Sequence, residues 1–315
     1  MITVAGEALM DIVVGASGSV TALPGGAPFN VARTIARLGG ECQFVGRLSD
    51  DAFGAQLRAL LAEDGVRLGV RQATSAPTTL AIAQLDDFGT AEYRFYLEGT
   101  AAAQLSATDI PEDAMEGSSA VALGGLGLLV EPAASSLKAL IQRKRPHITA
   151  LLDPNCRPGA IKDLLLYREM IDRLMQRIDV VKVSVDDLRL LRPESVSLDA
   201  ARSLLALGPR AVLVTDGPAP ISIHTADAER SVAVPLLDVV DTIGAGDAFV
   251  AAFLTWWTNH SLRARDLTDI DVLVQATTAA IRVAVAACTV HGAALPPDFL
   301  WLDDEPQAPV RHARS

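Results

Sequence analysis

The chain has 315 residues, of which 50% are apolar and 21% are charged, and its formal net charge is -11. This length and composition predict a compact soluble protein with one large α/β domain or two small ones. The acidic balance, with no basic run before the last residues, argues against a nucleic-acid partner. Glu7 and Asp11 interrupt the apolar N-terminal segment, so no signal peptide is expected, and no long apolar stretch is free of charge. We therefore expect no membrane span and a cytoplasmic location.

The N-terminal part of the chain alternates between apolar runs and helical patterns. Strands are predicted at 2–5, 11–14 and 43–45. A Gly-rich turn at 25–28 opens a helix that Gly39-Gly40 ends, and a second helix covers about 53–62.

The middle of the chain has a different character. Two β-rich runs, 79–85 and 92–97, are separated by a turn signal at 86–90. This pattern predicts a β-hairpin instead of a strand–helix unit. Together with the strand near Asp11, the hairpin predicts a small antiparallel sheet outside the main core.

From residue 120 the alternation of strand and helix resumes. Strands are predicted at 121–123, 150–153, 180–183 and 212–214, and helices at 133–144, 161–177 and 198–207. A late hairpin at 221–224 and 232–234 precedes two long helices at 248–257 and 270–287. Repeated strand–helix units predict a mainly parallel sheet covered by helices on both faces. The residues after about 303 are polar and contain proline, which predicts a loose tail.

The stretch 241–249, with the sequence Asp-Thr-Ile-Gly-Ala-Gly-Asp-Ala-Phe, is the most informative motif. The β-branched run 231–240 predicts a strand that leads into a tight turn at 244–246 and then a helix. Small residues at a helix start let backbone N–H groups approach an anion. Asp247 beside such a nest fits a base that deprotonates a hydroxyl, which then attacks a bound phosphate. The alternative is an ordinary capping Asp after a glycine turn.

Polar residues also follow several predicted strands, where open α/β sheets bind ligands. They are Asp11, Asn30, the segments 153–158 and 184–187, and the turn 215–217. Each could be an ordinary cap or turn, but together they form a consistent ring of ligand-facing loops. The four lysines lie outside Gly-rich turns, so the usual ATP-binding P-loop is absent.

Two separated segments resemble the signatures of the ribokinase-like (PfkB) sugar kinases. The segment 241–249 resembles the second signature, and 25–32 with the following 37–39 resembles the first. A third block, 46–54, is also similar, and the resemblance runs from Gly6 to about Pro296. It implies one kinase domain over 1–304, with a small β-sheet lid built from about 9–24 and 77–100, and a loose tail at 305–315. A lid of this kind would allow a homodimer.

The resemblance also implies roles for residues at the phosphate site. Asp247 would be the catalytic base, and the N–H groups of Gly244, Ala245 and Gly246 would form the anion hole. Ser184 and Asp187 stand where the family has Asn-x-x-Glu, a motif that organises Mg²⁺ and phosphate. The carboxylate of Asp187 is one methylene shorter than the family's, and it would reach Mg²⁺ through water.

On the nucleotide side, the resemblance implies that ATP binds near Ser184, Thr215, Gly217 and Gly292. A monovalent cation, K⁺, would lie near Asp241 and Ile243.

Within the family, the first signature and the segments 92–96 and 153–158 look most like bacterial fructokinases. The implied sugar-binding residues are Asp11, Gly26, Asn30, Arg157 and an aromatic residue of the lid, Tyr96 or Phe95. Related 2-keto-3-deoxygluconate kinases carry an Arg where this chain has Leu97, which favours a neutral sugar and hence D-fructose with ATP. The alternatives are 2-keto-3-deoxygluconate, ribose or another small sugar, or a non-catalytic sugar or nucleotide sensor.

Overall fold

The computed structural model describes residues 1–85, 91–195 and 197–301. Its strands, in chain order, are β1 (Ile2–Ala5), β2 (Leu9–Val14), β3 (Val20–Gly25), β4 (Cys42–Val45), β5 (Arg67–Leu68), β6 (Thr79–Leu85), β7 (Ala91–Tyr96), β8 (Ala120–Gly124), β9 (Thr149–Asp153), β10 (Val180–Ser184), β11 (Ala211–Thr215), β12 (Ile221–Thr225) and β13 (Glu229–Val232). The α-helices are α1 (Ala27–Arg37), α2 (Ala52–Glu63), α3 (Ala133–Gln142), α4 (Leu164–Met175), α5 (Val185–Leu191), α6 (Ser197–Leu205), α7 (Ala245–Asn259) and α8 (Ile270–Ala287).

The main sheet has nine strands in the order β13-β12-β11-β10-β9-β8-β1-β4-β5. The seven strands from β11 to β5 are parallel, and β12 and β13 add an antiparallel edge. One face packs against α1, α2, α7 and α8, where Phe253 and Trp257 are fully buried. The other face packs against α3 to α6 around Leu137 and Met175. The predicted parallel sheet with helices on both faces is therefore confirmed.

A second, four-stranded sheet has the order β3-β2-β6-β7 and confirms the predicted small sheet. It is mixed, because β2 pairs with β6 in parallel, whereas a purely antiparallel sheet was predicted. The reason is the long crossover through α1, β4 and α2, which returns the chain in the same direction. The turn at 86–90 and the tail at 305–315 lie outside the described residues.

The segment before α7 is not the predicted strand. β13 ends at Val232, and the chain from 233 to 243 has no regular structure, with Leu236 and Val239 exposed. β13 is the edge strand, so the chain must leave the sheet and cross to the N-terminus of α7. The N–H of Val240 donates to Cys288 O, which ties the crossing segment to the end of α8.

By length and composition α8 is the one helix among the described residues that could cross a membrane. It carries Asp271 and Arg282, and its apolar side is part of the core that includes α7. Leu273, Ala276 and Ala280 are fully buried there. These contacts identify α8 as a core helix.

Candidate active site

The polar residues predicted to bind ligands gather at the carboxyl ends of the parallel strands. Asp153 ends β9, Ser184 ends β10 and Thr215 ends β11, while α1 and α7 begin above the same edge. The carboxyl ends of parallel strands all lie at one edge of the sheet, so residues far apart in sequence become neighbours there. Asp153 and Asp247 are both buried at this edge, which demands compensating partners.

The predicted anion nest lies at the N-terminus of α7, and the shape of this turn depends on Gly244. This residue is the N-cap and has a φ of 79°, and a Cβ added to it would lie 2.6 Å from the Cβ of Ala293. Only glycine fits both the conformation and the space. The N–H of Ala245 donates to Thr242 O within the turn, at 3.2 Å. The predicted anion hole of the N–H groups of Gly244, Ala245 and Gly246 stays a prediction; because the Ala245 N–H is used within the turn, the next helical N–H groups, of Gly246 and Asp247, are the ones placed to meet an anion.

Asp247 lies in the first turn of α7 and is 8% exposed. Its Oδ2 accepts a hydrogen bond from the Asn30 amide at 2.9 Å. Burial raises the pKa of Asp247 to about 7, and the opposing effects of Asn30, Lys182 and Arg157 do not cancel it. A carboxylate with this pKa can accept a proton near neutral pH, as a general base must.

Asn30 reaches Asp247 because of the way α1 begins. Gly26 is the N-cap of α1 with a φ of 103°, and a Cβ on it would lie 2.9 Å from Glu7 O. The chain can therefore turn tightly against the strand-end segment at Glu7 before the helix starts. This turn places Asn30, in the first turn of α1, against the first turn of α7.

Asp11 lies on the small sheet, in a row with Leu23, Ala81 and Phe95 on the neighbouring strands. Residues directly opposite each other share a face of the sheet, so these four side chains point the same way. Its carboxylate occupies the space beside Gly25, where a Cβ would lie 2.0 Å from Oδ2. Burial raises the pKa of Asp11 to about 6, while Arg157 lowers it.

Of the two aromatic residues predicted to approach the sugar, Phe95 lies on the Asp11 face of the small sheet and Tyr96 does not. Tyr96 pairs with Leu80, one residue out of phase with the Asp11 row, and its side chain is 54% exposed. The alternation of side chains along a strand places it on the opposite face. Phe95 is half-buried, and its ring faces Gly159, where an added Cβ would lie 3.9 Å away.

Arg157 lies at the mouth of the cleft, next to that glycine segment. It is exposed, and its guanidinium donates to Cys156 O at 3.3 Å. Its positive charge lowers the pKa values of Asp11 and Asp247 against the larger effect of their burial. Arg157 is thus within electrostatic reach of both predicted sides of the site.

The carboxylate of Asp187 is held by a capping box at the start of α5. Its Oδ2 accepts from the N–H of Ser184 at 3.0 Å and from the Ser184 hydroxyl at 2.7 Å. Its Oδ1 accepts from the N–H of Cys156 at 2.7 Å. Asp187 therefore joins the β9 and β10 loops, and only Oδ1 keeps a clearly free lone pair. The Ser184 hydroxyl is likewise used in the cap.

The residues predicted for the nucleotide and the monovalent cation lie along the same edge. Gly217 follows β11 with a φ of 50°, and the Thr215 hydroxyl donates to Val183 O at 3.4 Å. Asp241 accepts from the N–H of Ile243 at 3.0 Å and from the N–H of Gly292 at 2.9 Å. Its carboxylate thereby ties the turn before α7 to the segment after α8.

Lys182 is the site residue that the sequence reasoning did not single out. Its Nζ donates to Asp153 Oδ2 at 3.0 Å, and both side chains are buried. Its position in β10 offered a signal. Strand alternation puts it on the same side as the buried Val180, so it needs a counter-charge in the core.

Within the described ranges, no group of three or more His, Cys, Asp or Glu side chains could hold a metal ion. A divalent ion would need other ligands. Mg²⁺ usually keeps several waters and binds through one or two carboxylates plus substrate phosphates. The free lone pair on Asp187 Oδ1 fits a water of such an ion.

Comparison with known proteins shows the family to which this chain belongs. The family model described as pfkB family carbohydrate kinase matches residues 1–299. A fructokinase of Rhizobium leguminosarum bv. trifolii is 34% identical over 259 residues, which is 81% of this chain and 78% of that protein.

Two solved structures extend this likeness to three dimensions. Aminoimidazole riboside kinase from Salmonella enterica, complexed with aminoimidazole riboside and an ATP analogue, has a TM-score of 0.80 and 29% identity, covering 93% of this chain and 94% of that one. A double mutant of fructokinase from Vibrio cholerae O395, with fructose, ADP and potassium bound, has a TM-score of 0.81 and 25% identity, covering 93% of both chains.

Proposed function

Because this chain belongs to the pfkB family of carbohydrate kinases, we propose that it transfers the γ-phosphoryl group of ATP to the 6-hydroxyl of D-fructose. It is a phosphotransferase that acts on a sugar hydroxyl. The choice of fructose rests on the similarity to fructokinases and on Leu97. This side chain is buried in an apolar cluster with Leu9 and Ala81, where an Arg would be needed for a sugar acid.

The observation that carries the proposal is the hydrogen bond between Asn30 and Asp247. It joins the turn of α1 that would bind the sugar to the turn of α7 that would bind the phosphate. A sugar hydroxyl that contacts both side chains would lie beside the nest that binds the phosphoryl group. Asp247 would take the hydroxyl proton as the oxygen attacks, and the N–H groups of Gly246 and Asp247 would stabilise the charge on the phosphoryl oxygens.

The small sheet supplies the other side of the sugar pocket in this proposal. Asp11 would accept hydrogen bonds from sugar hydroxyls, and Phe95 would cover the ring from the same face. Closure of this sheet as a lid would exclude water and prevent hydrolysis of ATP. The exposed position of Arg157 suits a contact with the sugar or the phosphates.

Two ions belong to the proposal. Mg²⁺ would arrive with ATP, and Asp187 would hold it through water. When bound, the ion neutralises charge on the ATP phosphates. K⁺ would bind near Asp241 and Ile243, and the Vibrio fructokinase structure, which has potassium bound, supports a monovalent cation in this family.

At the level of the whole protein, we propose a single kinase domain over 1–304 with its lid at 9–24 and 77–100. A homodimer formed through the lid and a cytoplasmic location complete the proposal. Sedimentation of the purified protein tests the dimer.

ATP consumption across a panel of sugars, sugar acids and nucleosides tests the substrate. The panel contains fructose, ribose, 2-keto-3-deoxygluconate and aminoimidazole riboside, the ligand of the Salmonella structure. We expect fructose to give the highest kcat/KM and the product to be fructose 6-phosphate. A preference for the sugar acid would overturn the argument from Leu97. Sugar binding without turnover of any compound would favour the sensor.

A further inference from the structure

Two lysine–aspartate pairs lie at opposite ends of the strands of the main sheet. At the carboxyl end, Lys182 Nζ donates to Asp153 Oδ2 at 3.0 Å. At the amino end, Lys144 Nζ donates to Asp179 Oδ2 at 2.9 Å. Both lysine side chains are 8% exposed. The two pairs are thus matched in chemistry and burial but differ in what surrounds them.

The ammonium of Lys182 lies against the first turn of α7. A Cβ added to Gly246 would be 3.1 Å from Lys182 Nζ, and no other atom outside its own helix turn would lie within 4 Å. The N–H groups of Gly246 and Asp247 emerge from this same turn. One positive charge and two backbone donors therefore border the same space, which suits an anion with several oxygens.

Lys182 has hydrogen-bonding capacity to spare. An ammonium carries three donors, and among the described residues only Asp153 Oδ2 accepts one of them. Lys144, by contrast, also donates to Ile148 O at 3.0 Å. A buried cation with unused donors is costly unless a ligand completes its coordination.

The environment also keeps Lys182 charged. Burial alone lowers the pKa of Lys182, but the charge of Asp153 and the hydrogen bond to it outweigh this effect. Asp187 and Asp247 add to the attraction, so the pKa of Lys182 lies above its ordinary value. The Lys182 ammonium is therefore charged at neutral pH.

We propose that Lys182 is a catalytic residue that donates hydrogen bonds to the phosphoryl group during transfer. This inference rests on the proposed kinase function. It gives Lys182 the task of the P-loop lysine, which this chain lacks. In the step, the sugar O–H proton goes to Asp247 and the sugar oxygen forms a bond to phosphorus. The bond from phosphorus to the leaving oxygen of ADP breaks with its electron pair, and Lys182 keeps its protons throughout.

The main test removes both charges of the pair together, since Lys182→Met alone would leave Asp153 buried and unpaired. The double variant Lys182→Met/Asp153→Asn is compared with its matched control, Lys144→Met/Asp179→Asn. We expect the site variant to lose about 10²–10³ in kcat. Its affinity for the transition-state mimic formed from ADP, aluminium fluoride and sugar should fall by a similar factor. The control should keep kcat within about threefold, although it loses a similar pair.

The single variant Asp153→Asn distinguishes the contribution of Lys182 from that of Asp153, because it keeps the Lys182 ammonium. It should retain far more activity than the double variant. If the folded double variant has kcat within about fivefold of the wild type, Lys182 only balances Asp153 and the proposal is wrong.

A second variant covers the case in which the double variant does not fold. Gly246→Ala leaves the buried pair intact and adds a methyl group against Lys182 Nζ. Ala is the better residue within a helix, so the fold should tolerate it. We expect kcat to fall at least about tenfold with the KM for the sugar unchanged, and unchanged kcat contradicts the proposal. Wild-type turnover, measured first, tests the kinase function separately, and whichever sugar it accepts is used for the variants.

Discussion

The Asp247 carboxylate is the residue on which the proposed chemistry depends most directly. We expect Asp247→Asn to lower kcat by about 10²–10⁴, because the amide cannot accept the hydroxyl proton. The shape is preserved and Asn30 can still hydrogen-bond to the new side chain. The dissociation constants for fructose and for an ATP analogue, measured by calorimetry, should therefore stay near the wild-type values. Near-normal turnover would remove Asp247 from the role of base.

The pH dependence of activity follows from the same residue. Burial raises the pKa of Asp247 to about 7, so the base is protonated and inactive at lower pH. We expect kcat/KM for fructose, at saturating ATP, to fall about tenfold for each pH unit below 7. Asp11, whose pKa is raised to about 6, serves as the comparison. Asp11→Asn should raise KM, but the fall of kcat/KM on the acidic side should still begin near pH 7. If kcat/KM of the wild type falls only near pH 4, the assignment of Asp247 as the base is wrong.

The contribution of Asp247 to the stability of the fold should depend on pH in the opposite direction to activity: it should be higher at low pH. A carboxyl group whose pKa is higher in the folded protein stabilises the fold while it is protonated. That contribution is lost as the pH rises from about 4 to about 7. The amide of the Asp247→Asn variant never ionises. The free energy of unfolding of the variant should therefore rise relative to that of the wild type as the pH increases over this range. Urea unfolding at pH 5 and pH 8 measures the difference.

Phe95 and Tyr96 are adjacent aromatic residues on opposite faces of the small sheet, which makes them a matched pair. Phe95→Ala should raise the KM for fructose at least about tenfold, because it removes the apolar cover on the Asp11 face. Tyr96→Ala removes a side chain that is 54% exposed and should change KM less than about threefold. Steady-state kinetics at saturating ATP distinguishes them. The reverse order would restore Tyr96 as the sugar contact.

At the residue scale, the sequence indicated chemistry better than orientation. Asp247 was predicted from its place beside a turn of small residues at a helix start, and Asn30 from the ring of polar loops and the resemblance to the sugar kinases. The choice between Phe95 and Tyr96 depends on two registers, that of β2 with β6, which pair across a long crossover, and that of β6 with β7. No local pattern encodes that register. Lys182 escaped notice because its partner, Asp153, is 29 residues away.

At the scale of elements, the turn into α7 makes a second matched pair available. Gly244 and Gly65 both have a φ of 79°, but only Gly244 lacks space for a Cβ. Gly65→Ala should cost about 1–2 kcal/mol through backbone strain alone and leave activity intact. Gly244→Ala should cost more, because the new methyl group meets Ala293, and the displaced nest should lower kcat at least about tenfold. Urea unfolding and kcat, measured on both variants, check this, and equal effects would contradict the role of the turn.

The elements that were predicted poorly from the sequence share one property: tertiary contacts, and not local sequence, decide whether the segment forms a strand. β3 contains Leu23, Pro24 and Gly25 and is mostly exposed, so no alternating pattern marks it, yet it pairs with β2 along its length. The run 231–240 has strand propensity, but it has no partner strand after Val232 and is irregular from residue 233 on. Buried parallel strands such as β9 and β10 were predicted well, because continuous apolar runs leave few alternatives.

For the whole molecule, the two sheets differ in how firmly they are held. The main sheet is buried between two helical layers, whereas the small sheet packs on one side, through a cluster of Leu9, Ala81, Leu97 and Leu126 and through Met10, Ile12 and Leu80 against the main core. The small sheet also exposes much of β3. A sheet with one helix-free, partly exposed side opens at lower free energy than a sheet buried on both faces. This difference suits a lid that must admit a sugar and then close over it.

Hydrogen exchange can test whether the small sheet opens more readily than the main sheet and closes on the sugar. Amides of β2, β3, β6 and β7 should exchange faster than those of β8 to β11 in the free protein. Fructose together with a non-hydrolysable ATP analogue should slow exchange in the small sheet most, because both Asp11 and Phe95 would then contact the sugar. Asp11→Asn provides the control, since it should lose the protection due to fructose while keeping that due to the nucleotide near α7. Equal protection of both sheets by the ligands, or none in the small sheet, would show that the small sheet does not close on the sugar.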